Sequence, residues 1–199
     1  IALITTMLSF SVGGTLDVLT ALVRGWLDQG VSRLVDAFLA IPVLIFALML
    51  LAVFGKVQFF MEYRWVLLVI ILGLLDSTRV FRLARATALN VVVMDFVEAA
   101  RLRGEGMGWI VFKEIIPNIL PPLITEFGLR FCFVFLTISA LSFLGVGIQP
   151  PTADWGSMVA ESKTLITFGK WQPLIPAGAI ALLTVAVNFV VDWFLHKTS

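Results

Sequence analysis

Glu126 and Arg130 are opposite charges four residues apart, so on a helix they share one face. They sit in a strongly apolar run, 123–146, where charge is costly and ionisable groups face a cavity, a partner or a water-filled path. Two roles fit them. One is a gate or pathway contact. The other is an intrahelical ion pair near a membrane interface, with Arg130 snorkelling toward water. Asp17 and Asp192 also interrupt apolar runs; interface positions or bonds to neighbouring helices suit them better than a proton relay. No catalytic set accompanies these groups. The single histidine, His196, stands near the end, and the single cysteine, Cys132, lies among apolar residues. Neither a disulfide nor a Cys–His metal cluster can be built from them. The sequence has no GxxxxGK[ST] loop to cradle phosphates. No catalytic residue and no metal ligand is assigned.

A second polar stretch reads Asp-Phe-Val-Glu-Ala-Ala-Arg-Leu-Arg-Gly over 95–104. Asp95 suits an N-cap, and Glu98 three residues on completes a capping-box pattern. Ala99, Ala100 and Leu102 favour helix. Gly104 suits the left-handed residue that ends one. Two small alanines let another surface approach the backbone closely. Residues 107–116 form a second short helix, stopped by Pro117, and Pro121-Pro122 introduces the next apolar run. A helix–glycine–helix element of this kind is a lever that a soluble partner can grip. The plainer reading is an amphipathic loop lying in the membrane interface.

The rest of the chain says what must hold these residues. Of 199 residues, 60% are hydrophobic and 14% charged, and the mean hydropathy is +1.03. A soluble domain of this size needs more polar surface, so the solvent is lipid. A formal net charge of +1 gives no reason to expect nucleic acid. A spanning helix needs about 20 apolar residues. Five segments approach that: 1–23, 37–54, 65–80, 123–146 and 174–195. The third is the weakest, because Asp76 and Arg79 interrupt its end. Backbone groups in lipid must be satisfied internally and the runs do not alternate, so the expected fold class is all-α, a polytopic helical membrane protein.

Orientation follows from basic residues. Arg24, Arg33, Arg79, Arg82, Arg85, Arg101, Arg103, Lys113 and Lys197 fall on one side, against Lys56, Arg64, Lys163 and Lys170 on the other. The richer side is cytoplasmic. This places the chain's first residues outside, its C-terminus inside, and the connection 81–122 in the cytoplasm. The external connection, 145–173, carries Pro150-Pro151, which ends any helix leaving the fourth run, and a short helix over 157–165. The chain begins with Ile1 inside an apolar run, as a fragment or processed chain would.

Glu98-Ala99-Ala100-Arg101, Gly104 and the run Ile115-Ile116-Pro117-Asn118-Ile119-Leu120-Pro121-Pro122 resemble the EAA motif of binding-protein-dependent ABC importer permeases. A second block, Ala140-Leu141-Ser142-Phe143-Leu144-Gly145-Val146-Gly147-Ile148-Gln149-Pro150-Pro151 followed by Trp155-Gly156-Ser157-Met158, looks like the second permease subunit of dipeptide, oligopeptide and nickel importers. Weaker likeness at 33–42 and 188–192 extends it over nearly the whole chain.

The resemblance implies one permease domain over 1–199, with 95–122 as its cytoplasmic coupling segment between the third and fourth spans. The family has six spans, so the first span and its N-terminal tail are expected outside this sequence. It further implies a bacterial inner-membrane location and contact with membrane lipids. The implied partners are a second homologous permease, two cytoplasmic ATPases that bind the ATP and Mg, and a periplasmic or lipid-anchored solute-binding protein. The chain itself would hold no cofactor. Glu98, Ala99, Ala100, Arg101, Gly104, Ile116, Pro117 and Asn118 would meet the ATPase; Glu126 and Arg130 remain candidates for a pathway or gate. Ser139 departs from the acidic residue that family members often carry before Ala-Leu-Ser-Phe-Leu-Gly, which bears on the choice of solute. An ATPase-independent secondary transporter or channel is the alternative.

Overall fold

A computed structural model describes residues 1–23, 26–149 and 151–198. Arg24, used above for orientation, and Pro150, expected to break the chain after the fourth run, lie outside the described residues. Among the described residues the regular structure is entirely helical. It comprises α1 Ala2–Val23, α2 Trp26–Leu39, α3 Val43–Phe54, α4 Gln58–Glu62, α5 Arg64–Val92, α6 Asp95–Leu102, α7 Met107–Trp109, a π-helical stretch Ile110–Ile115, α8 Ile116–Phe143, α9 Trp155–Ser162, a 3-10 stretch Lys163–Phe168, and α10 Leu174–Thr198.

Two helices, Met107–Phe143 and Leu174–Trp193, are each long and apolar enough to cross a bilayer. The second apolar run, expected to span over 37–54, is sharply bent at its proline, Pro42. It is divided into Gln29–Leu39 and Val43–Phe54, which meet at 92°. The cause is Pro42: its ring pushes Ile41 away from helical geometry, and Pro42 itself becomes the N-cap of α3. The third run also differs. Instead of ending near residue 80, α5 continues to Val92, 29 residues in all or about 44 Å. Asp76 and Arg79 do not interrupt it, because both sit on its inner side or beside a cavity and not in the lipid-facing stripe.

α5 is the central helix. α1 lies along it, and their approach is close enough that a Cβ on Gly13 would stand 2.6 Å from the Ser77 carbonyl oxygen. Small residues at such crossings are how membrane helices gain contact without a hydrophobic driving force. The membrane core joins Ala47 and Leu51 of α3, Leu67, Leu68, Ile71, Leu72 and Leu75 of α5, and Val134, Ile138 and Leu141 of α8. A second, separate core gathers at the other end of α5: Val91, Val97, Ala100, Ile110, Val111, Ile115 and Ile119. Most of α10 faces outward, with Ile175, Leu182, Phe189 and Trp193 exposed.

The short helix expected at 157–165 is present as α9, which starts two residues earlier and passes into the 3-10 stretch at Lys163. Asp154 Oδ2 accepts from the Ser157 backbone N–H at 3.1 Å, which starts α9. Gly169, at φ 69°, ends the 3-10 stretch.

Candidate coupling surface and intramembrane charge cluster

The candidate coupling element is built around α6. Its N-cap is Met94, not Asp95. Met94 is extended, and its carbonyl accepts from the Val97 and Glu98 N–H groups, so the helix starts one residue earlier than the capping-box pattern required. Asp95 and Glu98 instead occupy the first turn, where negative charge favours the helix dipole. The other end matches expectation. Gly104 takes φ 81°, its N–H donates to the Arg101 carbonyl at 2.9 Å, and the Glu105 N–H donates to the Ala100 carbonyl at 3.2 Å. That pair of bonds is a Schellman stop.

The two alanines part company. Ala100 is fully buried in the second core, against the π stretch, whereas Ala99 is exposed. The close approach expected of both is therefore open to Ala99 alone. Glu98, Arg101 and Leu102 share the exposed side, Leu102 at 83%. Val93, Met94 and Met107, which flank α6 in the chain, are also exposed.

The connector runs differently from the two short helices expected. Pro117 does not stop residues 107–116; helix continues from Met107 to Phe143. A proline ring clashes with the carbonyl four residues back. Here the backbone widens into π geometry over Ile110–Ile115, and the Ile116 N–H reaches the Val111 carbonyl five residues back. Pro117 then opens α8, and Pro121 and Pro122 lie inside it. Asn118 Nδ2 donates to the Glu114 carbonyl at 2.6 Å, and Thr125 Oγ1 donates to the Pro121 carbonyl at 3.1 Å. Ile116 is half-buried; Pro117 and Asn118 are exposed. Arg103 braces the turn, with Nη2 3.6 Å from Glu114 Oε1 and its guanidinium 5.9 Å from the Trp109 ring centre.

The second constellation lies in the membrane. Arg130 Nε donates to Glu126 Oε1, one turn back on α8. Its Nη1 also stands 3.6 Å from Asp76 Oδ1 of α5, and its guanidinium covers the Phe133 ring at 5.4 Å. The Arg130 side chain is only 17% exposed, and the expected intrahelical pair with Glu126 is formed. Asp76 and Arg130 lie within the apolar parts of α5 and α8, where charges persist only when paired. Asp76 was not among the candidate residues. Its signal was available: an acid in one apolar run is the natural complement of an arginine in another.

The family model for the binding-protein-dependent transport system inner membrane component matches residues 13–197. The chain belongs to this family. Among relatives, a putative peptide permease protein of Brucella ovis is 33% identical over 194 residues, covering 96% of this chain and 62% of the relative. The di/tripeptide transport system permease protein DppC of Pseudomonas aeruginosa is 33% identical over 162 residues, 81% of this chain and 51% of that protein. The chain therefore spans between half and two thirds of their length. Among solved structures, the MetNI methionine ABC transporter in an inward-facing conformation aligns with a TM-score of 0.79 at 16% identity, over all of this chain and 91% of that one. An amino acid ABC transporter crystallised with histidines gives 0.63 at 20% identity, over 98% and 90%. In this membrane-component family the helical fold expected from composition is confirmed, as is the likeness to dipeptide-type permeases.

Proposed function

We propose that the chain is the transmembrane permease subunit of an ATP-driven ABC importer for peptides or similar small solutes, and that 95–122 receives motion from a cytoplasmic ATPase. In this reading it works with a second homologous permease, two ATPase subunits and an external solute-binding protein, with its C-terminus in the cytoplasm. Dipeptide-permease relatives support the solute class. The observation that carries the mechanism is mechanical continuity. α6 rests through Ala100 on Ile110, Val111 and Ile115, and these begin the helix that runs on to Phe143. A push on the Glu98–Ala99–Arg101–Leu102 face therefore moves a rod of 37 residues, about 55 Å long, as one body. That rod carries Arg130 of the charge cluster. Rigid-body movement of packed elements is a standard way of switching between inward- and outward-facing states.

The test joins a contact with a consequence. Ala99→Cys in the assembled transporter should cross-link to the ATPase, and Gly104→Val should reduce ATP-driven uptake while insertion into the membrane persists. Uptake that proceeds without any ATPase would instead establish the secondary-transporter reading.

A further inference from the structure

One face of α5 changes character along its length. Leu67, Ile71, Leu74, Thr78, Arg82 and Arg85 follow one another at spacings of three and four, so they form a single stripe. The part from Leu67 to Thr78 lines a groove of about 660 Å³ between α1, α2, α3 and α5. Of its lining residues Leu67, Ile71 and Leu75 are buried, whereas Leu34, Phe54 and Leu74 are exposed, so the groove opens outward. Ser77 and Thr78 also line it, but their hydroxyls donate to the Leu74 and Leu75 carbonyls, both at 2.7 Å. The walls therefore ask for no further hydrogen bond, which suits a hydrocarbon chain.

The basic end of the stripe lines a second cavity, of about 190 Å³, with Ser32 and Asp36 of α2. Val35 lines both cavities, so they adjoin at α2. Arg82 and Asp36 pair at 3.1 Å, but their side chains are 66% and 51% exposed. Such a pair is weak and open to a competing anion. Arg82 and Arg85 against Asp36 leave this cavity a net charge of +1, the complement of one phosphodiester. Length links the two parts. From Leu67 to Thr78 is 11 residues, or about 16 Å of helix. A hydrocarbon layer of about 30 Å gives each leaflet about 15 Å. A lipid tail lying in the groove thus runs out where the arginines begin.

We propose that this stripe is a binding site for an anionic phospholipid, one tail in the groove and the phosphate at Arg82 and Arg85. This exceeds general contact with bilayer lipid, because the site selects a headgroup, and it is independent of the solute moved.

The test uses the full-length permease in its assembled complex, in detergent, with phosphatidylglycerol carrying a photoreactive diazirine at the tail end. Cross-links should map to the groove around Phe54 and Leu67. Phosphatidylethanolamine with the same tail offers an ammonium to Asp36 but carries no net charge. It should label the groove about fivefold less, the worth of one basic residue toward an anionic lipid. Arg82→Gln and Arg85→Gln should each lower phosphatidylglycerol labelling by about that factor and leave phosphatidylethanolamine unchanged. Leu34→Trp, which narrows the groove, should lower both lipids alike. Arg82 and Leu34 are exposed, so their variants carry the test should Arg85→Gln fail to assemble. Equal labelling by the two lipids, indifference to the arginine substitutions, or displacement by equimolar inorganic phosphate, which leaves the groove empty, would overturn the proposal. An unlabelled groove would overturn it too, and cross-linking of Leu34→Cys to another protein segment would then name polypeptide as the occupant.

Discussion

The core around Ala100, at one end of α5, and the charge cluster around Arg130, between α5 and α8, hold their residues by opposite means. At the α6 end, small and branched apolar side chains from α6, the π stretch and α8 pack together while the charges point outward. Glu98 and Arg101 are exposed there, and Arg103 pairs at the surface. In the membrane the charges point inward and bind one another, and the apolar surface is turned to lipid. The first region needs shape, so volume changes should damage it. The second needs charge balance, so it should tolerate shape changes and fail when one partner is lost.

The largest effect should come from the second region. Arg130→Ala leaves the buried Asp76 and the half-buried Glu126 without their shared cation, and the buried Asp76 pair sets the scale of the loss at about 3–5 kcal/mol. The thermal midpoint of the purified complex in detergent should fall steeply, and Arg130→Lys should recover part of it. Glu126→Gln should cost less, because Arg130 keeps Asp76. A neutral outcome for Arg130→Ala would mean that water or lipid headgroups already reach these acids, and the contrast between the regions would collapse.

Next is the shape test. Ala100→Phe overpacks a fully buried position and should destabilise by about 1–3 kcal/mol. Ala99→Phe, one residue away and exposed, should leave stability within about 0.5 kcal/mol while lowering coupled transport. If both behave alike in thermal unfolding, α6 is not seated on its core as described.

Gly104→Ala is smaller again. Nothing lies within 4 Å of where its Cβ would be, so space is not at issue; φ 81° is. Holding an L-residue in that left-handed geometry costs about 1–2 kcal/mol. A guanidine or thermal titration should show that loss, with proteolysis at the turn increasing in step.

Gly104 is also where sequence reading worked best, since a glycine after a helical run has one dominant use. The all-α class and the apolar runs were equally legible, because composition and run length are properties of the chain alone. The errors share a cause. Asp95 looked like a cap because its type favours that place, but the extended Met94 backbone took the position first. Pro117 looked like a stop because proline lacks an N–H, but the π stretch ahead of it absorbed the misfit. Ala99 and Ala100 looked equivalent, and only the second core separates them. Asp76 was seen merely as a flaw in a span. Its value depends on Arg130, 54 residues away, and no local pattern carries that distance.

The smallest effect sharpens the comparison most finely. Arg103 pairs with Glu114 at 3.6 Å and, more loosely, with Glu105 at 3.9 Å, but its side chain is 54% exposed. A surface pair of this kind contributes at most about 1 kcal/mol and is screened by salt. Arg103→Gln should therefore lower stability slightly at low ionic strength, and the difference should vanish in high salt. Arg130→Ala, shielded from solvent, should keep its full deficit in both. Running the two variants across a salt series thus separates a charge that decorates a packed element from one that holds helices together. If the Arg103 deficit also survives high salt, its stacking on Trp109 is the real brace, and the turn after α6 is held by shape like the core beneath it.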